Sequence, residues 1–208
     1  ALAEVVRKHP NVFVVADEIY EHIVFDGAHE SFAALPGMAE RTITVNGLSK
    51  AFALTGWRLG YIGAPLWIAQ AATKVQGQFT SGTNTIAQRV AKACMEADPS
   101  LLAPMRADFL RRRDLVLNAL KKIHGWRCNV PQGAFYLLPD VRSCIDGRTI
   151  KGSVDLSLYL LDTVGVSLVE GRSFGAEGTL RISYATSDEK LSEAMARVAT
   201  GIAQLKGG

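Results

Sequence analysis

Apolar positions fall into short unbroken runs over the first third of the chain and into helical spacings over much of the rest. Val12-Phe13-Val14-Val15-Ala16 follows Pro10-Asn11 without a polar break. That is the pattern of a parallel strand buried on both faces, and it puts Asp17-Glu18 at the C-terminal end. A second strand, Thr42-Ile43-Thr44-Val45, runs into Asn46-Gly47-Leu48-Ser49-Lys50, and a third, Leu59-Gly60-Tyr61-Ile62-Gly63, ends at Ala64-Pro65. Helical periodicity then extends from Leu66 to about Phe79. The polar cluster Thr80-Ser81-Gly82-Thr83-Asn84 interrupts it and supplies N-cap side chains for a further helix reaching about Ala97. The opening stretch, Ala1 to His9, reads as the end of an amphipathic helix.

Asp98-Pro99-Ser100 punctuates the chain, and a long helix from about Leu101 to Ile123 is predicted beyond it. The pattern then changes. Short strands around Ala134–Leu138, Val166–Val169 and Thr179–Tyr184 alternate with helices near Val154–Thr163 and Asp188–Leu205, which predicts a small α/β domain. In the last helix Leu191, Met195, Val198, Ile202 and Leu205 share one face, and Ser187, Asp188 and Glu189 stand at its start.

Composition narrows the class of protein. At 208 residues with 48% hydrophobic content, the chain can build one large core or two small ones. Its net charge of +3 is dispersed, and Arg111-Arg112-Arg113 sits inside a helical pattern, so the triplet reads as a solvated helix face and nucleic-acid binding is not expected. Cys94, Cys128 and Cys144 are odd in number and lack CxxC spacing, which argues against a disulfide framework or a zinc site and favours a reducing, cytoplasmic setting. No apolar stretch approaches membrane-spanning length, so no membrane partner is expected.

Chemistry concentrates at three polar residues with apolar or small neighbours: Asp17, Tyr20 and Lys50. Open α/β sheets place ligands at the carboxyl ends of their strands, so an acid after one strand and a lysine after the next can face one crevice. Taken singly, Asp17 reads as a turn or cap residue, Tyr20 as a core-edge aromatic and Lys50 as a surface lysine. Their joint order carries more. Asp17-Glu18-Ile19-Tyr20, then Ser49-Lys50-Ala51-Phe52-Ala53-Leu54-Thr55-Gly56-Trp57-Arg58-Leu59-Gly60, resembles the signature of the class I and II aminotransferases, of the pyridoxal phosphate (PLP) fold type I. Pro131-Gln132-Gly133-Ala134-Phe135-Tyr136 and Leu180-Arg181-Ile182-Ser183 match two later segments of that family in order.

The resemblance implies an α/β fold in which residues 1–98 form the C-terminal part of the large mixed-sheet PLP domain and residues 99–208 a small C-terminal α/β domain. It implies that Lys50 carries PLP as a Schiff base and moves the proton at the substrate Cα, since an amine can be nucleophile first and base afterwards. Asp17 would face the pyridine nitrogen and keep it protonated, and Tyr20 would hydrogen-bond the 3′ oxygen. Ser49 and Arg58 would grip the phosphate, and Arg181 would bind the substrate α-carboxylate through a bidentate fork. Gly56 and Gly60 read either as sites of close backbone passage or as ordinary turn and strand glycines. Thr83 and Asn84 read either as a loop toward a partner subunit or as a helix cap. His9, His22, His29 and His124 receive no role.

By the same resemblance the expected activity is transfer of an amino group from L-aspartate to 2-oxoglutarate by a homodimer, with aromatic or prephenate-type substrates as neighbours in the family. Two further readings stay open: the PLP-binding effector domain of a transcription regulator, and another fold type I enzyme such as a carbon-sulfur β-lyase. An Asn beside the 3′ oxygen and a Gly-rich phosphate loop, which family members carry upstream of the Asp17 strand, are not found in these 208 residues, so the chain is expected to be the C-terminal part of a longer enzyme.

Overall fold

The computed structural model describes residues 1–207, and the chain divides into two compact units, Ala1–Pro104 and Met105–Gly208. In the first unit a short helix, α1 (Leu2–Arg7), leads to β1 (Val14–Asp17), and two turns of 3-10 helix precede β2 (Thr42–Gly47). β3 (Gly60–Gly63), α2 (Leu66–Thr80) and α3 (Thr85–Glu96) follow. The sheet order is β1-β2-β3 and the sheet is mixed. β1 runs parallel to β2 with Asp17 beside Val45, and β3 runs antiparallel to β2 with Gly60 opposite Gly47.

That last pairing is tight at two glycines. A Cβ on Gly47 would lie 3.0 Å from the Leu59 carbonyl oxygen, and one on Gly60 would lie 3.1 Å from the Asn46 carbonyl oxygen. Arg41, at the entry to β2, ties the crossover together by donating to the carbonyls of Val6 at 3.0 Å, Val12 at 2.7 Å and His9. Asn84 caps α3, accepting from the Ile86 and Ala87 amides at 2.9 and 3.1 Å, so the cap is the structural role of this residue.

The first strand differs from its expectation. It starts at Val14 and its exposure alternates along its length, with Val15 67% exposed and the preceding Phe13 44% exposed. A strand buried on both faces needs cover on both faces, and among the described residues the face of β1 that carries Val15 lacks it.

The second unit takes most of α4 (Ala103–Leu120), then β4 (Tyr136–Leu137), α5 (Ser153–Val164), β5 (Val169–Glu170), β6 (Leu180–Ser183) and α6 (Asp188–Gly207). Its sheet is antiparallel throughout, ordered β4-β6-β5. Leu191, Met195, Val198 and Ile202 of α6 are each at most 4% exposed, as the apolar face predicts. The predicted 101–123 helix is shorter, because a 3-10 turn occupies Pro99–Leu102 and the helix stops at Leu120. The arginine triplet is not a solvated face. Arg111 and Arg112 both pair with Asp188 at the start of α6, and Arg113, only 13% exposed, donates to the Pro131 carbonyl at 3.1 Å. A run of three guanidinium groups therefore ties α4 to the start of α6 and to the loop before β4.

Gly171 opens the 3-10 turn Gly171–Phe174 after β5, where a Cβ would fall 1.9 Å from Thr179 Oγ1 and 2.3 Å from the Ala176 carbonyl oxygen. Gly171→Ala should therefore lower the unfolding free energy by about 2 kcal/mol, the usual cost of overpacking, which a urea titration reads as a lower midpoint. An unchanged midpoint would mean that the turn relaxes freely.

Candidate active site

The parallel pairing of β1 and β2 ends both strands at one edge of the sheet, and the reversed β3 starts at that edge. Asp17 is the last residue of β1, Ser49 and Lys50 follow the end of β2, and Arg58 stands two residues before β3. Asp17, Tyr20, Ser49, Lys50 and Arg58 consequently line one cavity of about 420 Å³, together with Ile19, Val45, Asn46 and Thr55. The five residues singled out from the sequence in this unit are thus brought together. Arg181 belongs to the second unit, on the central strand β6, where it lines a different cavity of about 500 Å³. Convergence of unlike chemical groups, rather than size, singles out the smaller cavity.

Local geometry shapes each wall of that cavity. The Asp17 carboxylate accepts from the Ile19 amide at 3.2 Å, closing the turn that carries Tyr20. Glu18 is 7% exposed. Its oxygens accept from His29 Nε2 at 2.9 Å, Ser31 Oγ at 3.0 Å and the Phe32 amide at 3.0 Å, while its own amide donates to Val45 at 2.9 Å. Burial alone would raise this carboxyl, but the bonds from His29, Phe32 and Ser31 outweigh it and hold the pKa below its ordinary value. Bonded to a carboxylate, the His29 nitrogen must be the donor.

Glu18, Glu21 and His29 present oxygen and nitrogen atoms within 4.8 Å of one another. The Glu18 oxygens are already taken up by the three donors, and Glu21 accepts from Asn46 Nδ2 at 2.8 Å, so the cluster is a hydrogen-bonded support behind the cavity. Sequence reasoning passed over two parts of it. His29 has no motif around it, and Asn46, 6% exposed, looked like part of a strand-end loop although it lines the cavity and ties β2 to the segment after β1. A polar residue directly following an apolar strand was the available signal.

Arg58 adopts a left-handed backbone, φ 51° and ψ 48°, and its Nη1 donates to the Thr55 carbonyl at 2.9 Å. For a side chain with a Cβ this conformation costs about 1–2 kcal/mol, and such outliers cluster where a ligand is clamped. Gly56 has open space around it, so nothing there requires the absence of a side chain, whereas Gly60 is the close-approach glycine of the β2–β3 pair.

The cavity suits a phosphorylated pyridine aldehyde. It holds an acid, a phenol, a hydroxyl, an amine and a guanidinium, and its volume lies within the roughly 300–1,000 Å³ of small-molecule sites. Among the described residues no helix is long and apolar enough to cross a membrane.

Comparison with known proteins points to one family. The model of the family described as aminotransferase class I and II matches residues 1–198. A relative from Petunia hybrida, named bifunctional aspartate aminotransferase and glutamate/aspartate-prephenate aminotransferase, is 45% identical over 99% of this chain and 45% of its own length. An aspartate aminotransferase from Rhizobium meliloti is 42% identical over 98% of this chain and 52% of its own. The crystal structure of the aspartate aminotransferase from Rhizobium meliloti superposes with a TM-score of 0.93 at 42% identity, covering 97% of this chain and 52% of that one. The chain spans about half the length of the curated relatives it matches.

The Glu18 network yields a pH-dependent prediction. Because the folded pKa lies below the ordinary glutamate value of 4.5, the ionised group stabilises the fold fully above that pH and less as pH falls through the folded value. Glu18→Gln should cost about 1–3 kcal/mol at pH 7 by urea unfolding, and less at pH 3.5. Equal losses at both pH values would remove the charge from the account.

Proposed function

The chain belongs to the class I and II aminotransferases, and from that premise we propose that it supplies the lysine-bearing share of a PLP-dependent aminotransferase active site. The supporting observation is the single cavity in which Asp17, Tyr20, Ser49, Lys50 and Arg58 meet. The preferred reaction moves an amino group from L-aspartate to 2-oxoglutarate in a homodimer, in keeping with the names of the relatives. A second reading extends the amino acceptor to prephenate-type acids, and the name of the petunia relative favours it. On either reading residues 1–98 serve the large domain and 99–208 the small one, and the expected location is the cytoplasm.

When bound, PLP supplies an electron sink for the substrate Cα, which lowers the barrier to breaking a bond there. The residues of this chain do the rest. Lys50 is the amine that would hold the cofactor covalently, and its Nζ would serve as the base for the proton on the substrate Cα. Asp17 offers a carboxylate that keeps a proton on the pyridine nitrogen, and Tyr20 a phenol for the 3′ oxygen. Ser49 Oγ and the Arg58 guanidinium match a phosphate dianion, one as a single donor and the other as a planar fork. Arg181 would hold the substrate α-carboxylate, which sets the Cα bond that can break.

Borohydride reduction of the whole protein loaded with PLP, followed by peptide mass mapping, should put the pyridoxyl mass on Lys50. Lys50→Ala should lower oxaloacetate formation from aspartate and 2-oxoglutarate by at least about 10²–10⁴-fold, the usual worth of a positioned acid–base group. A pyridoxyl mass on another residue, or a variant with near-normal turnover, would overturn the assignment.

A further inference from the structure

Arg181 is held in an aromatic setting that its proposed role does not require. It stands on β6, the central strand of its sheet, half-buried, with its guanidinium carbon 4.6 Å from the centroid of the Tyr136 ring and 4.3 Å from that of Phe174, over a face of each. The two rings come from opposite sides of the sheet order. Tyr136 on β4 is paired with Ser183, which makes it the diagonal neighbour of Arg181. Phe174 closes the turn that follows β5, and β5 pairs with β6 so that Val169 lies opposite Arg181. That turn is braced: Glu170 accepts from the Ser173 amide at 2.8 Å and from its hydroxyl, and Gly171 packs against Thr179 with no room for a Cβ. Phe174 nonetheless leaves 48% of its surface open.

We propose that Tyr136 and Phe174 are positioning residues for Arg181, fixing its guanidinium for the substrate carboxylate and setting the affinity of that site. A ring face attracts a cation electrostatically and contributes no oxygen, so the N–H donors of the fork stay free for an incoming carboxylate. It also confines a long, flexible side chain before the substrate arrives, which lowers the ordering cost of binding. A carboxylate partner in the same place would hold the arginine equally well but compete with the substrate. Among the described residues Arg181 forms no ion pair with a carboxylate of the chain.

The proposal rests on the reading of Arg181 as the carboxylate holder, and the test separates the two. With the whole PLP-loaded protein, the dissociation constant of maleate, a non-reacting dicarboxylate, is measured by calorimetry beside KM and kcat for aspartate. Phe174→Leu and Tyr136→Leu should each weaken maleate roughly 3- to 30-fold, with KM rising in step and kcat changing less than about threefold. Phe174→Tyr and Tyr136→Phe keep a ring face and should bind as the parent does. If Arg181→Leu leaves maleate binding intact, the carboxylate reading itself fails. If Arg181→Leu weakens binding while the two leucine variants do not, or if the ring-keeping variants lose as much as the leucine ones, the positioning role is overturned. Phe174 is half-exposed, so Phe174→Leu decides the matter alone should Tyr136→Leu fail to fold.

Discussion

The hydrogen-bonded register of three short strands is the constraint on which the rest depends. Because β1 and β2 are parallel, their C-terminal ends share an edge, and because β3 is reversed, its beginning shares it too. Residues far apart in sequence, from Asp17 to Arg58, are thereby collected without any of their side chains having to reach. The Gly47–Gly60 pair leaves little room for a side chain there, since a Cβ on either would lie 3.0–3.1 Å from a carbonyl oxygen across the pair. A ligand at this edge meets groups whose positions are set by backbone pairing, which is the more rigid way to build a site.

Behind that edge lies a polar layer that keeps the front wall in place. Adjacent acids take opposite parts: Asp17 lines the cavity, while Glu18 is buried and bonded to His29, Ser31 and Phe32. Asn46 and Glu21 link the end of β2 to the segment carrying Tyr20. Strain at Arg58 fits the same picture, since its left-handed backbone is held by a turn that its own guanidinium closes. In the second unit, aromatic faces around Arg181 take the place that hydrogen bonds hold in the first.

Much of this could be read from the sequence because it is local. The order of strands and helices, the apolar face of α6 and the Asn84 cap follow from patterns within a few residues, while the candidate site residues stand out only through their joint order along the chain. What escaped depends on non-local partners. The exposure of Val15 is set by what covers that face of β1, not by its own run of apolar residues. Arg113 looks like a surface residue until Pro131 is seen to accept from it, and its two neighbours converge on Asp188, 76 residues beyond Arg112. His29 carries no motif because its role is to satisfy a buried acid 11 residues earlier. Arg181 is expected to hold the carboxylate only through the family resemblance of its strand, and its two rings come from segments on either side of it in the sheet, which leave no spacing to read.

The central claim is that one strand edge gathers the groups that hold the cofactor, and a crystal structure of the whole protein with PLP tests it most directly. The account predicts the Asp17 carboxylate at the pyridine nitrogen, the Tyr20 hydroxyl at the 3′ oxygen, and Ser49 and Arg58 on the phosphate, with Lys50 bonded to the aldehyde carbon. A cofactor seated elsewhere, or turned so that Arg58 meets the ring and Asp17 the phosphate, would contradict it.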